Sequence, residues 1–190
     1  MDTLFLLTIA TVVIVLVFDY TNGFHDAANI VATVIASRAM TPVQAVLVVG
    51  IFEFLGPLLG GTAVANTIGS FVALDGVMPT LSLSILLCGL IGAIVWNLGT
   101  WRFGIPSSSS HALVGGLIGA VTVSVGSEHV VWGFGELANG HLTGIVKVLA
   151  ALLLSPLIGF WFGFLIHRLL TALLMAANPA ANARLRGLQY

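Results

Sequence analysis

Long apolar stretches separated by short polar ones run through the whole chain. Five of them are long enough to shape the fold: Thr3–Ala36, Pro42–Val72, Thr80–Trp101, Ile105–Gly126 and Thr143–Ala176. A helix that crosses the roughly 30 Å hydrocarbon core of a bilayer needs about 20 such residues. The pattern therefore predicts an all-α fold, a polytopic transmembrane helical bundle with about five hydrophobic segments.

Several of these segments are longer than one crossing needs. As one helix the first would be about 50 Å long, so it must tilt, protrude or break. Asn22-Gly23 is the predicted break, because glycine and asparagine both tolerate turns. The last segment is predicted to break or tilt near Ser155-Pro156.

The middle of the chain carries further breaks. In the second segment, Gly56-Pro57 and Gly60-Gly61 are expected to kink the helix or to admit a close neighbour. The stretch Thr80–Gly126 fits either two crossings or a re-entrant hairpin. Broken helices or such a hairpin therefore belong to the predicted fold.

One polar stripe interrupts the first segment. At 100° per residue, six side chains fall within roughly 80° of helix arc: Asp19, Asn22, Asp26, Asn29, Thr33 and Ser37. A carboxylate in the membrane core costs at least about 2.5 kcal/mol, so it normally faces a bundle interior or a wet cavity. The stripe predicts a pathway for a cation or a polar substrate.

Asp26 and Asn29 are the strongest candidate pair in this stripe. Three residues apart on a helix, they offer a carboxylate and an amide oxygen to one point, which suits Na⁺ or a proton. The alternative is a buried polar network that holds helices together. Asn22 is a weaker coupling-ion candidate, and Asp19 and His25 are candidate relay residues. No His or Cys at ligand spacing accompanies His25, so no structural metal site is predicted.

A run of four serines, Ser107–Ser110, precedes His111 and follows a Gly-Ile-Pro break. At a helix start the backbone N–H groups and the positive dipole end point outward. With the hydroxyls as further donors, such a tip can bind an anion without a fixed positive charge. Ordinary N-capping by serine is the alternative. Four serines and a histidine exceed what a cap requires, so anion binding is favoured.

Glu53 is a lone carboxylate in the second segment. It fits a protonated, merely packed side chain or a coupling group for a transported ion. Three other polar side chains of the apolar segments are predicted to make helix contacts: Gln44, Asn66 and Asn97. A solvated loop is predicted for the residues around Glu128, His129, Glu136 and His141.

Composition agrees with a membrane protein and excludes several function classes. The chain is 58% hydrophobic and 7% charged, whereas soluble domains carry about 25% charged residues. A net charge of −1 gives no basic patch for nucleic acid. The single Cys88 excludes an intramolecular disulfide framework. The N-terminus lacks a basic region and a cleavage site, so a mature first helix is expected rather than a signal peptide.

The arginines predict an orientation in the cell membrane. If the segments alternate in direction, five arginines lie on one side: Arg38, Arg102, Arg168, Arg184 and Arg186. The opposite loops, near Asp75 and Glu128–Glu136, have no Arg or Lys. The positive-inside rule then places the N-terminus outside and the C-terminus in the cytoplasm. A second copy after an odd number of crossings would be inverted in the membrane.

Three stretches of the chain resemble the inorganic phosphate transporter (PiT) family. NGFHDAANIVAT at Asn22–Thr33 is similar to the family's first Asp/Asn signature, with His25 matching a bacterial variant. GIPSSSSHALVGGLIGA at Gly104–Ala120 resembles the family's serine-rich hairpin motif. FEFLG at Phe52–Gly56 resembles the second-helix pattern of some members. The resemblance covers nearly the whole chain.

This resemblance implies secondary transport of phosphate, driven by Na⁺ or H⁺, with phosphate carried alone or as a neutral metal complex. It implies two inverted repeats around a central site. It assigns Asp26 and Asn29 to the coupling ion and the substrate, and Glu53 to a transport role. It also assigns the phosphate-binding tip to a short run of residues: Ser108, Ser109, Ser110 and His111. No cofactor is expected beyond the coupling cation.

The chain differs from the family pattern because no second Asp/Asn signature follows the first. Residues 1–177 are therefore interpreted as the N-terminal repeat, and 178–190 as a short basic tail or the start of a linker. A truncated sequence, a separate second-repeat polypeptide or a homo-oligomer are the three explanations. The expected function is cation-coupled phosphate transport by alternating access in the lipid bilayer.

Two alternatives to phosphate transport are a permease for sulfate or another oxyanion, and a non-transporting membrane subunit that needs a partner repeat. A membrane enzyme is not expected. Adjacent Ser and His side chains on a helix point apart, so Ser110 and His111 do not form a hydrolase pair, and no G-x-S-x-G turn occurs.

Overall fold

The computed structural model describes residues 2–61, 66 and 69–174, and this part of the chain is built from helices. The main helices are α1 (Thr3–Ala36), α2 (Pro42–Gly60), α3 (Pro79–Phe103), α4 (Ser109–Ser124), the short α5 (Phe134–Leu137) and α6 (Gly144–Leu174). Helices α1, α2, α3 and α6 are long and apolar enough to cross a membrane, whereas α4 is shorter. The prediction of an all-α membrane bundle is confirmed. The predicted basic tail, 178–190, lies outside the described residues.

Helix α1 is continuous for 34 residues, so the predicted break at Asn22-Gly23 is wrong. A glycine inside a helix costs about 1 kcal/mol relative to alanine. Opening the helix in a membrane would cost more, because each unpaired backbone group there costs several kcal/mol. The intact helix keeps the whole polar stripe on one rigid element.

The other predicted breaks have mixed outcomes. Helix α6 is also one continuous helix, with Pro156 inside it, so the break predicted as one possibility near Ser155-Pro156 does not occur. Helix α2 stops at Gly60, because Gly61 has a φ of 71°, in the left-handed region that glycine favours. The second apolar segment is therefore not one helix to Val72.

A capping box starts α2. The Thr41 hydroxyl accepts from the Gln44 backbone N–H at 3.4 Å, and the Gln44 side chain accepts from the Thr41 backbone N–H at 3.0 Å. Gln44 thus makes a local contact at the helix start, where two unpaired N–H groups are satisfied.

Replacing Thr41 with Ala is expected to cost about 1 kcal/mol of stability, because the first turn of α2 loses its cap. Thermal unfolding of the detergent-solubilised protein would show a lower midpoint. The matched control is Thr8→Ala, since the Thr8 hydroxyl donates to Leu4 O within α1 and caps no helix start. Equal midpoints for the two variants would contradict this role of Thr41.

Helices α1 and α3 run parallel and share one buried cluster. Phe18 of α1 packs with Leu90, Ala93 and Ile94 of α3. One level further along both helices, the rings of Phe24 and Trp101 meet edge to face with centroids 5.3 Å apart. This register puts the polar stripe of α1 at the same level along the bundle as the last turns of α3.

Helices α3 and α4 form a tight antiparallel hairpin. The two helices meet closely at Gly89 and Gly116, where a Cβ atom added to Gly116 would collide with the carbonyl oxygen of Gly89. Two glycines allow backbones to meet this closely, as in other membrane helix pairs. Residues 104–108 form the turn of this hairpin, directly after the end of α3.

A second core closes the open end of this hairpin. Phe71 and Val121 are fully buried there, together with Ile85, Val130 and Ile145. Val72 and Val130 form an isolated antiparallel bridge, and the Val131 N–H donates to Phe71 O at 2.9 Å. The segments before α3 and after α4 thus meet on one side. Two crossings and a re-entrant hairpin, the two arrangements predicted for Thr80–Gly126, both require this.

Among the residues that the structure describes, helix α6 is attached at its beginning only. Ile145 and Val148 are buried in the second core, whereas the side chains from Leu153 to Leu173 are exposed. Within the described residues, most of this helix therefore presents an apolar surface that no other element covers.

Candidate functional site

A cleft between α1 and α2 gathers four of the predicted ion-site residues. Its cavity of about 490 Å³ is lined by Asn22, Asp26 and Asn29 from α1 and by Glu53 from α2. Apolar and glycine positions form the rest of its wall. The cleft brings two carboxylates and two amides to one space, which is a ligand set suited to a hard cation.

Asp26 is the best-placed anionic group in this cleft. Its side chain is 44% exposed, so the carboxylate is reachable from the cavity. Asn29 and Glu53 are exposed and Asn22 is half-buried. Asp19, two turns earlier on α1, is exposed and does not line the cavity.

His25 lies on the other side of α1, in the interface with α3. It is 6% exposed, and its Nε2 lies 3.4 Å from Thr100 Oγ1. Its Nδ1 lies 3.7 Å from Asp26 Oδ1. His25 thus connects the buried α1–α3 contact with the edge of the cleft.

The serine run forms the turn of the hairpin and the start of α4. Ser108 is the N-cap residue, and its hydroxyl accepts from the His111 backbone N–H at 3.4 Å. Ser109 is buried, whereas Ser110 and His111 are exposed. Capping therefore occupies one serine, and anion binding by the others stays a prediction.

A second groove lies beside this tip. About 460 Å³ in volume, it is lined by Trp96, Ser107, Ser108 and His111, together with small residues of α3 and α4. The Trp96 indole donates to Ser107 Oγ at 2.8 Å, which fixes the turn against α3. The groove shares no lining residue with the α1–α2 cleft. The two candidate sites are thus separate surfaces of one helical unit.

Sequence reasoning named Asn97 of α3 as a helix-contact residue but missed Thr100 on the same helix. Asn97 is 1% exposed, and among the described residues neither its amide nitrogen nor its amide oxygen has a hydrogen-bond partner. Thr100 is 5% exposed and contacts His25. The spacing of three between Asn97 and Thr100 in an apolar segment repeats that of Asp26 and Asn29, and this signal could have identified Thr100.

A comparison with known protein families decides what kind of protein this is. The model of the phosphate transporter family matches residues 22–188, which include the cleft, the hairpin and α6. The chain belongs to the phosphate transporter family. The resemblance inferred from the sequence motifs is confirmed, and this family consists of transporters rather than enzymes.

Individual members of the phosphate transporter family give the same result. A probable low-affinity inorganic phosphate transporter of Streptomyces halstedii is 46% identical over 163 residues, covering 85% of this chain and 70% of the relative. A protein of Rhizobium meliloti (strain 1021) with the same description is 37% identical over 187 residues, covering 98% of this chain and 52% of the relative. The chain thus spans about half the length of the Rhizobium protein.

A solved structure is also similar to the present chain. It is described as the sodium-dependent phosphate transporter, with a TM-score of 0.75 and 29% identity. The match covers 87% of this chain and 39% of that chain. The helical arrangement described above is therefore one that a phosphate transporter adopts.

Proposed function

We propose that this chain is the first repeat of a cation-coupled transporter of inorganic phosphate that works by alternating access. The observation that carries the proposal is the α1–α2 cleft, where Asp26, Asn29, Asn22 and Glu53 line one cavity. Carboxylates in a membrane protein mark ion or substrate pathways, because their insertion cost is otherwise not compensated.

In this proposal the cleft holds the coupling cation. Asp26 supplies the negative charge, Asn29 and Asn22 supply amide oxygens, and Glu53 faces them from α2. The similar solved structure belongs to a sodium-dependent transporter, which supports Na⁺ over H⁺ as the cation. His25 and Asp19 flank the cleft as candidate relay residues.

Phosphate binds, in this proposal, at the start of α4, with Asn29 as a further contact from α1. Ser110 and His111 are exposed there, and the first N–H groups of α4 carry the positive end of the helix dipole. Ser108 and Ser109 complete this tip. Phosphate can donate a hydrogen bond to a carboxylate at neutral pH and sulfate cannot, so a carboxylate in the assembled binding site would favour phosphate.

We place the N-terminus outside the cell membrane and the C-terminus in the cytoplasm. The parallel packing of α1 and α3 supports alternating segments, with Arg38 just after α1 and Arg102 in the last turn of α3 on the cytoplasmic side. The 16 residues of α4 are fewer than the roughly 20 that a crossing needs. We therefore place the α3–α4 pair as a hairpin that begins and ends on the outer side, with Arg102 and the serine turn facing the cytoplasm.

The transport path is completed by a second repeat or a second copy of this chain. The separation of the cleft from the serine groove supports this, since neither alone surrounds a phosphate. The half-length match to the Rhizobium relative agrees with it.

Radiolabelled phosphate uptake into liposomes that contain only this chain tests the proposal. Na⁺ and pH gradients are imposed separately, and unlabelled sulfate is added as a competitor. We expect uptake to follow the Na⁺ gradient and to resist sulfate. Uptake that follows only the pH gradient would replace Na⁺ by H⁺, and equal competition by sulfate would contradict phosphate selectivity.

If the folded chain shows no uptake, its equilibrium binding of labelled phosphate decides between the remaining possibilities. Cation-dependent binding without uptake would mean that a second repeat is required. The absence of any cation-dependent binding by folded protein would overturn the proposed function.

A further inference from the structure

The indole of Trp96 reaches from α3 to the serine turn. Its Nε1 donates to Ser107 Oγ at 2.8 Å, across 11 positions of the chain. Chemistry fixes the roles in this bond, because an indole N–H can only donate. Trp96 is 58% exposed, so packing within the described part of the chain constrains its ring little. The bond to Ser107 is therefore a specific contact between the body of α3 and the turn.

This bond acts on the second half of the hairpin turn. The two residues that follow α3 are tied to its last turn by backbone hydrogen bonds. Pro106 comes next and has no N–H to donate. Ser107 then directly precedes Ser108, the N-cap residue of α4. Trp96 thus holds the residue from which the start of α4 is reached.

Ser107 also lies on the wall of the groove beside the helix start. The cavity of about 460 Å³ is lined there by Ser107, Ser108 and His111. The Ser108 oxygen accepts from the His111 backbone N–H. Ser109 is 2% exposed, and its Oγ has no hydrogen-bond partner among the described residues. The turn thus offers more hydroxyl groups than capping of α4 uses.

The bond from the indole prepares the Ser107 hydroxyl to donate. A hydroxyl that accepts a hydrogen bond still has its one hydrogen to give. The Ser107 oxygen accepts from Trp96, so its hydrogen is available to a group in the groove. Accepting one bond strengthens the bond that the hydroxyl donates, because hydrogen bonds in a chain polarise one another. A phosphate oxygen with negative charge is a strong acceptor for such a donor.

We propose that Ser107 contacts phosphate through its hydroxyl hydrogen and that Trp96 is the positioning residue that orients this hydroxyl. This inference rests on the proposed function, because it takes phosphate as the ligand at the start of α4. It adds Ser107 to the four residues that the family resemblance assigns to the phosphate tip. It also gives α3 a part in phosphate binding, through a residue outside the serine run.

Two pairs of substitutions separate this role from a purely structural one. Trp96→Phe keeps an aromatic ring and removes the N–H group, and Trp161→Phe makes the same change at an exposed position of α6. Ser107→Ala removes the hydroxyl, and Ser107→Thr keeps it. If the bond only held the turn, loss of either partner would weaken phosphate binding equally. If Ser107 contacts phosphate, Ser107→Ala loses more than Trp96→Phe does.

The first test reads the Trp96 indole by proton–nitrogen NMR of ¹⁵N-tryptophan-labelled protein. Trp96→Phe identifies its signal. Without phosphate, we expect the indole hydrogen to exchange with water at least about fivefold faster in Ser107→Ala than in the wild type. In Ser107→Thr the exchange rate should stay within about twofold of the wild type. Equal exchange in the wild type and Ser107→Ala would disprove the hydrogen bond and overturn the proposal.

Saturating inorganic phosphate extends this test to the ligand. A phosphate that accepts from Ser107 strengthens the bond that the same hydroxyl accepts, so exchange of the Trp96 indole hydrogen should slow at least about twofold. The Trp161 signal should not respond. In Ser107→Ala the Trp96 signal should not respond either. An unchanged Trp96 signal in wild-type protein that binds phosphate would overturn the contact.

The second test measures the dissociation constant of labelled phosphate in the assembly that binds it. We expect Ser107→Ala to raise it at least about tenfold and Trp96→Phe about threefold. Ser107→Thr and Trp161→Phe should stay within about twofold of the wild type. The double variant should bind as weakly as Ser107→Ala alone, because the indole acts only through the Ser107 hydroxyl.

The outcomes of this second test distinguish the inference from the proposed function. Equal losses in Ser107→Ala and Trp96→Phe would make Ser107 a turn residue and contradict the proposal. Wild-type affinity in Ser107→Ala would also overturn it, while phosphate binding by the chain would stand. Folded wild-type protein that binds no phosphate would overturn the proposed function together with this inference.

Discussion

Cation-driven phosphate uptake is expected to fall at least about 100-fold when Asp26 is replaced by Asn, which corresponds to about 2.8 kcal/mol. The substitution keeps the size of the side chain and removes its charge. Asp26 lines the α1–α2 cavity with two neutral amides and Glu53. A cation that leaves water for a membrane site needs an anionic partner, because an unpaired buried charge is very costly.

The measurement is the initial rate of labelled phosphate uptake, divided by the amount of folded protein in the membrane, in the assembly that shows uptake. The matched control is Asp75→Asn, which makes the same chemical change at an exposed loop residue outside the cavity. It should keep the wild-type rate. Normal uptake by Asp26→Asn would remove Asp26 from the coupling site.

Replacing Gly116 with Ala is expected to destabilise the protein by at least about 2 kcal/mol. A Cβ atom at this position would collide with the backbone carbonyl of Gly89 on α3. A backbone atom in a packed helix cannot move aside as a flexible side chain can, so the hairpin would have to open. Over-packing of this kind typically costs about 1–3 kcal/mol.

Thermal unfolding in detergent measures this effect, with the yield of monodisperse protein as a second reading. Gly119→Ala is the matched control. Gly119 lies on the same helix, and a Cβ atom there would have no atom of another element within 4 Å. Its midpoint should equal or exceed that of the wild type, since alanine favours helix. A wild-type midpoint for Gly116→Ala would show that the close approach of α3 and α4 is absent.

The sequence could predict which residues of α1 line one side of the α1–α2 cleft, because the evidence for them is local. Asp26 and Asn29 share a helix face by spacing alone, and that face stays intact once the helix forms. Glu53 could be identified as a candidate because it is a carboxylate in an apolar segment. Its position opposite Asp26 could not be predicted, since that position depends on how α2 packs against α1.

The continuity of α1 and the polar contact between α1 and α3 were harder to predict. Asn22-Gly23 has the local chemistry of a turn, but the membrane's demand for paired backbone groups outweighs it. The contact of Thr100 with His25 depends on the parallel register of α1 and α3. That register is set by Phe18 and its apolar partners rather than by any polar motif.

Sequence variation should be distributed unevenly along α6, because the described part of the chain holds this helix at its beginning and leaves the rest uncovered. Ile145 and Val148 are buried, so a polar or much larger side chain there would disturb the second core. From Leu153 to Leu173, contacts within the described part of the chain impose no shape on the side chains. In a deep mutational scan, apolar exchanges along this stretch would be silent for the folding of this unit. Any position in it that resists exchange would mark where another polypeptide segment packs.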